Sequence, residues 1–233
     1  MGGQACVFYG AAQVSKDVDF LIHAEEDNFT RILSALEKLD ARRIAVPPFD
    51  PSVLARGHGV HFRCRAPGVD GLRVYIMTKL RDLPDFESLW ERRTVLADDF
   101  GAEFHLLSVP DLVRAKKTQR SKDWPVIEAL VAIHHRENAQ SPTAEWTSFW
   151  LTEARSPELL NELTTRFPAE AARLRAARPL LSLANAADLP ALREALDAEV
   201  RAEQEKDRIY WAPLKRELEI FRSEEREGSK YSP

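Results

Sequence analysis

Apolar and polar residues alternate most regularly in GVHFRCRA (residues 59–66). There Val60, Phe62 and Cys64 fall on one side and His61, Arg63 and Arg65 on the other, the period of a half-buried strand. The β-branched and aromatic stretch LRVYIMTKL (72–80), reached across the turn-like PGVDG, predicts its hairpin partner. Upstream, VDFLIHA (18–24) reads as a strand. The following EEDNFTRILSALEKLDA sets Phe29, Ile32, Leu33, Leu36 and Leu39 at helical spacing. RRIAV (42–46) predicts a further strand stopped by Pro47 and Pro48, and SVLAR a turn of helix. A short helix in FESLWERR and a second hairpin, TVLADD with AEFHLLS about Phe100 and Gly101, are expected to complete the sheet.

The pattern changes at Ser108. A capping hydroxyl followed by Pro110 and Asp111 marks a helix start, and nearly everything beyond reads as helix. ENAQSPTAEW separates a helical pair from a region containing LLNELTTRF, AEAARLRAA, LPALREALDAEVRAEQEKDRIYW and LKRELEIFRSEER, with GSKYSP expected to fray. The fold class is therefore α+β: a mixed sheet with flanking helices over residues 1–137, then a mainly helical region over 138–233.

Composition narrows the classes. The chain has 233 residues, 44% of them hydrophobic, enough for an ordinary core. Cys6 and Cys64 lie far apart without metal-ligand spacing, which reads as a reduced, cytoplasmic protein. No apolar run is long enough to cross a bilayer, and the amino terminus lacks a signal-peptide layout. A net charge of −4 in a chain that is 30% charged leaves no global field for nucleic acid, so any polyanion contact is local.

The chemistry concentrates in GGQACVFYGAAQVSKDVDFLI, which opens at Gly2. On a strand, Asp17 and Asp19 project to one side about 7 Å apart, where their repulsion amounts to roughly 2 kcal/mol at an effective dielectric near 20. A divalent ion with oxygen ligands relieves it, and Mg²⁺ is the natural choice where phosphates supply the remaining ligands. Gly2 and Gly3 allow backbone N–H groups to approach a phosphate, and a helix beginning at Gln4 adds its positive end.

Gly2-Gly3, Gly10 and Ser15-Lys16-Asp17-Val18-Asp19-Phe20 together resemble the glycine-pair and D-x-D signature of the DNA polymerase beta-like nucleotidyltransferase superfamily, in its bacterial minimal nucleotidyltransferase and abortive-infection toxin-like branch. The likeness continues through LRVYIM, ESLWERR and LLSVPDLVRAKKTQRSKDW, covering roughly residues 1–135. The resemblance implies a mixed-sheet domain in which Asp17 and Asp19 hold Mg²⁺ or Mn²⁺ against a nucleoside triphosphate, with Gly2, Gly3, Ser15 and Lys16 at the nucleotide. It implies nucleotidyl transfer to a hydroxyl acceptor, whether RNA, protein or small molecule, and a toxin–antitoxin setting with an antitoxin-like protein partner.

Two departures accompany it. The family's third acidic residue is matched by Tyr75, a poor metal ligand at neutral pH because a phenol ionises near 10; Asp70, Asp82 and Glu103 lie nearby in sequence or on a neighbouring strand. A strand usually leads into the glycine pair, so the expectation is either that the start lies further upstream or that the sheet lacks an edge here. A catalytically disarmed nucleotide-binding or protein-interaction module is the alternative reading.

The basic run Arg114, Lys116, Lys117, Arg120 and Lys122 puts Lys116 and Arg120 on one helix face. It reads either as a solvated face or, following the resemblance, as triphosphate ligands led by Lys116. The histidines show no zinc spacing. Trp146, Phe149, Trp150 and Leu151 predict a packed aromatic seam between the helical region and the catalytic domain.

Overall fold

The computed structural model describes residues 1–184 and 188–230. The expectation for the last residues of the tail, 231–233, lies outside them. The chain divides into two compact units: Met1–Phe8, Ala12–Ala115 and Ile209–Pro233 form the first, Tyr9–Ala11 and Lys116–Arg208 the second. This division differs from the one expected near residue 137, because the loop after Ala115 is tied to side chains of the second unit and the carboxyl-terminal stretch packs with the first.

The first unit is built on a four-stranded mixed sheet in the order β1-β4-β3-β2, with β1 Asp17–Leu21, β2 Arg42–Arg43, β3 Gly59–Arg63 and β4 Arg73–Met77. The expected hairpin forms: β3 and β4 pair antiparallel with His61 opposite Tyr75 and Arg63 opposite Arg73. β4 also pairs in parallel with β1, placing Arg73 beside Asp17 and Tyr75 beside Asp19. The second strand is shorter than the run 42–46 suggests.

One sheet face makes the core. Val60, Phe62, Cys64, Val74 and Ile76 are buried there with Phe29 and Leu36 from α2 (Glu26–Lys38) and Leu54 from α3 (Pro51–Ala55). The Asp50 side chain starts α3 by accepting from the Ser52 N–H at 2.8 Å. By strand alternation, Asp17, Asp19, Arg73, Tyr75, His61 and Arg63 share the opposite face.

α1 (Gly2–Phe8) starts two residues earlier than Gln4 and packs on β1. α4 (Phe86–Glu91) is capped by Asp85. The hairpin of β5 (Thr94–Ala97) and β6 (Glu103–Leu106) forms a separate two-stranded sheet. It therefore does not extend the first sheet as the pattern suggested, since alternation fixes faces but not which strands become neighbours. α5 (Val109–Lys116) begins at the predicted cap: Ser108 Oγ donates to Asp111 Oδ2 at 2.7 Å, and Arg92 reaches the same buried carboxylate through Nε at 2.6 Å and Nη2 at 2.8 Å.

The second unit is helical: α6 (Trp124–Asn138), α7 (Ala144–Glu153), α8 (Pro157–Arg166), α9 (Pro168–Leu174) and the first part of α10 (Leu189–Lys230). Thr143 and Ser156 cap α7 and α8. The aromatic seam lies within this unit. Trp150 is fully buried, its Nε1 donating to His134 Nδ1 at 2.9 Å, with His135 edge-on to the indole. The last two helical stretches of the sequence are one helix of 42 residues that continues through Pro213, and Gly228 to Lys230 remain helical. In the first unit, Glu217 of α10 receives His58 Nε2 at 2.9 Å and Arg56 Nε at 3.1 Å. Among the described residues no helix is long and apolar enough to cross a membrane.

Candidate functional site

The predicted residues of the amino-terminal motif meet at β1. Gly3 N–H donates to Asp19 Oδ2 at 3.3 Å, and Ser15 Oγ donates to the backbone carbonyl of Asp17 at 2.8 Å. Gly2 has φ +70°, and a Cβ there would lie 1.8 Å from Asp19 Oδ2; one on Gly3 would lie 2.6 Å from Ser15 Oγ. Glycine is therefore required at Gly2 both by the left-handed backbone and by the carboxylate seated against it. The glycine pair and Ser15 thus orient the two aspartates. This differs from the expected phosphate cradle, because the Gly3 N–H is already directed at a side chain. Lys16 is exposed.

Asp17 and Asp19 lie one pleat apart on the polar sheet face. Arg73 Nε stands 2.6 Å from Asp17 Oδ1, with both side chains 44% exposed. By distance this is an ion pair, yet Oδ1 is itself buried and takes no hydrogen bond among the described residues. The contact is Coulombic rather than an aligned hydrogen bond, which leaves a lone pair of that oxygen unused.

Tyr75, in register with Asp19, stacks on His61 with ring centroids 4.0 Å apart. A Cβ on Gly59 would sit 2.3 Å from the Tyr75 ring, so the phenol depends on the bare backbone beneath it. Burial pushes the His61 imidazole below its ordinary range, against the pull of Asp19 and Asp17 and together with Arg73, so it is neutral at neutral pH. Asp82 is held by Arg81, and Glu103 lies on the separate hairpin. Among the described residues, no group of three His, Cys, Asp or Glu side chains is placed to hold a metal.

Lys116 and Arg120 belong to the second unit. Lys116 Nζ lies 3.5 Å from Asp123 Oδ1 and Arg120 Nε 3.2 Å from Asp123 Oδ2, while Lys117 Nζ reaches Glu153 Oε1 at 2.7 Å. Thr118 Oγ1 also donates to Asp123, and Gln119 N–H to Asp207. Acids distant in sequence from the run or just beyond it absorb its charge, which periodicity could not reveal.

An open groove in the first unit, with a cavity volume of about 70 Å³, is lined by Met1, Phe20, Phe86, Trp90 and His105 among others, and does not include Asp17 or Asp19. Phe86 stacks on Trp90 and the Arg93 guanidinium lies 4.0 Å from the indole centre, so the indole faces are already used.

Sequence reasoning missed Arg73 and Arg63. Alternation turned Arg63 outward, but the place of Arg73 beside Asp17 depends on a parallel pairing between strands more than fifty residues apart, and Arg63 then stands opposite Arg73 on the next strand. Comparison with protein-family models, with curated proteins and with solved structures returns no match for this chain.

Proposed function

We propose that the chain is a nucleotidyltransferase-like protein in which Asp17 and Asp19 hold a divalent ion, Mg²⁺ or Mn²⁺, against the polyphosphate of a nucleoside triphosphate, for transfer of a nucleotidyl group to a hydroxyl acceptor. The observation that carries this reading is the convergence of Gly2 and Gly3 on the Asp19 carboxylate, with Ser15 fixing the backbone of Asp17 beside it. The mixed sheet, with β1 parallel to β4, is compatible with it.

The donor set suits one hard cation: Asp17 Oδ1 has an unused lone pair, and Asp19 is seated where only a glycine leaves room. When bound, such an ion offsets charge developing on the phosphoryl oxygens. The chain's own residues hold the geometry. Gly3 N–H fixes the Asp19 carboxylate, Ser15 fixes the start of β1, and neutral His61 can accept a proton on the same face.

The second reading, a disarmed nucleotide-binding module, is favoured by one observation: the position beside Asp19 carries Tyr75 stacked on His61 rather than a third carboxylate. One experiment separates the two. The purified protein and an Asp17→Asn/Asp19→Asn variant are incubated with labelled triphosphates, Mg²⁺ or Mn²⁺ and cell extract. Label moving into the RNA, protein or small-molecule fraction with wild type but not with the variant supports the transferase and identifies the acceptor class. Metal-dependent binding without transfer, with activity gained in Tyr75→Asp, supports the disarmed module. Absence of metal-dependent nucleotide binding defeats both.

A further inference from the structure

The polar sheet face carries more charge than the aspartates. Register across the four strands places Asp17, Arg73, Arg63 and Arg42 in one row, one residue per strand, with Asp19, Tyr75 and His61 in the next. Residues opposite one another on neighbouring strands have Cβ atoms about 5 Å apart, and like charges so placed destabilise the sheet. Arg42 is engaged by Asp40 at 3.0 Å. Arg73 has Asp17, while Arg63 is exposed and has no ion pair among the described residues. Of these neighbouring arginines only Arg73 has a carboxylate beside it from the row, an arrangement suited to an incoming anion.

We propose that Arg73 and Arg63 form the polyphosphate seat of the nucleotide site, Arg73 resting on Asp17 and transferring to phosphate oxygens when a divalent ion takes that carboxylate. The proposal rests on the nucleotide reading above. A cation bound at Asp17 Oδ1 and a guanidinium 2.6 Å from the same atom repel each other, so metal binding displaces Arg73. The displaced side chain is half exposed and can swing without backbone movement. Its planar fork matches phosphate oxygens in pairs, and Arg63 in the adjoining strand supplies a second fork. Lys116 and Arg120, the sequence candidates for this role, are committed to the buried Asp123.

The test uses the full chain and two probes. Tripolyphosphate binding is measured calorimetrically at saturating Mg²⁺, and Mn²⁺ binding alone by electron paramagnetic resonance. Arg63→Gln and Arg73→Gln should each weaken tripolyphosphate by about tenfold or more, with Arg73→Lys intermediate. Arg73→Gln should bind Mn²⁺ more tightly than wild type, and Arg63→Gln should leave Mn²⁺ affinity unchanged. Unchanged melting temperatures establish that the variants fold, and Arg73→Lys, which keeps the charge, serves if Arg73→Gln does not. Wild-type tripolyphosphate affinity in the arginine variants, with Mn²⁺ binding still dependent on Asp17, overturns the arginine assignment alone. Mn²⁺ binding indifferent to Asp17→Asn overturns the metal reading itself. Retention of single-stranded RNA but not tripolyphosphate, with the same arginine dependence, overturns the polyphosphate seat in favour of a phosphodiester surface.

Discussion

Charged side chains are treated differently in the two units. In the helical unit, Arg178 is buried and donates to the carbonyls of Leu151 at 2.7 Å and Ala154 at 2.9 Å and to Glu199 Oε2 at 2.8 Å. Glu199 also receives Arg155, and Glu153 receives Lys117. On the sheet face of the first unit, the Asp17–Arg73 pair is half exposed, poorly aligned and flanked by another arginine. Buried ions must be paired because an uncompensated charge costs several kcal/mol, so the first group is scaffolding. Partly solvated ions can remain imperfectly matched at little cost, which is what an exchangeable ligand site needs.

The sharpest way to break that contrast is Arg178→Ala. It strips two carbonyls and Glu199 of their partner, and the expected loss is about 3–5 kcal/mol, read from equilibrium urea unfolding. A loss below about 1 kcal/mol would place this cluster in the same class as the sheet-face pair.

A smaller effect is expected from pH. Burial holds His134 below its ordinary value, and the Trp150 indole donates to its Nδ1 lone pair. His135, beside the same indole, is lowered in the same sense. A histidine depressed in the folded state stays neutral while the unfolded chain takes up a proton. Its stabilising contribution is therefore whole above about pH 6.5 and is lost as pH falls below that value toward the folded pKa. The urea midpoint should drop between pH 7 and pH 5, and His134→Gln should flatten the drop. A midpoint independent of pH would contradict the burial argument.

The smallest change in stability is expected at the candidate site. Asp17→Asn removes an exposed ion pair and relieves repulsion with Asp19, so unfolding free energy should move by no more than about 1 kcal/mol. Mn²⁺ binding should nevertheless be lost. Destabilisation by several kcal/mol would make Asp17 a structural residue and remove the distinction between the regions.

Much of this was legible because local rules and burial agree. The alternation of Val60, Phe62 and Cys64 with His61, Arg63 and Arg65 gave the inward and outward faces of β3, and Ser108 with Asp111 gave the start of α5. The period of two put Asp17 and Asp19 on one side of β1. The basic run was misleading because Asp123, just beyond it, takes Lys116 and Arg120, and Glu153, the partner of Lys117, becomes a neighbour only through packing of the second unit. The β5–β6 hairpin was recognised as a pair but not as a separate sheet.

The sequence by itself determined which residues could share a face, where helices start, and that two carboxylates stand together behind a glycine pair. Only the tertiary structure decided that Arg73 lies on Asp17, that Tyr75 beside Asp19 stacks on His61, and that Lys117 turns to Glu153. The reason is range: periodicity and capping act over a few residues, whereas strand register and the pairing of charges are set between segments far apart in the chain, where burial and Coulomb energy choose among many locally equivalent partners.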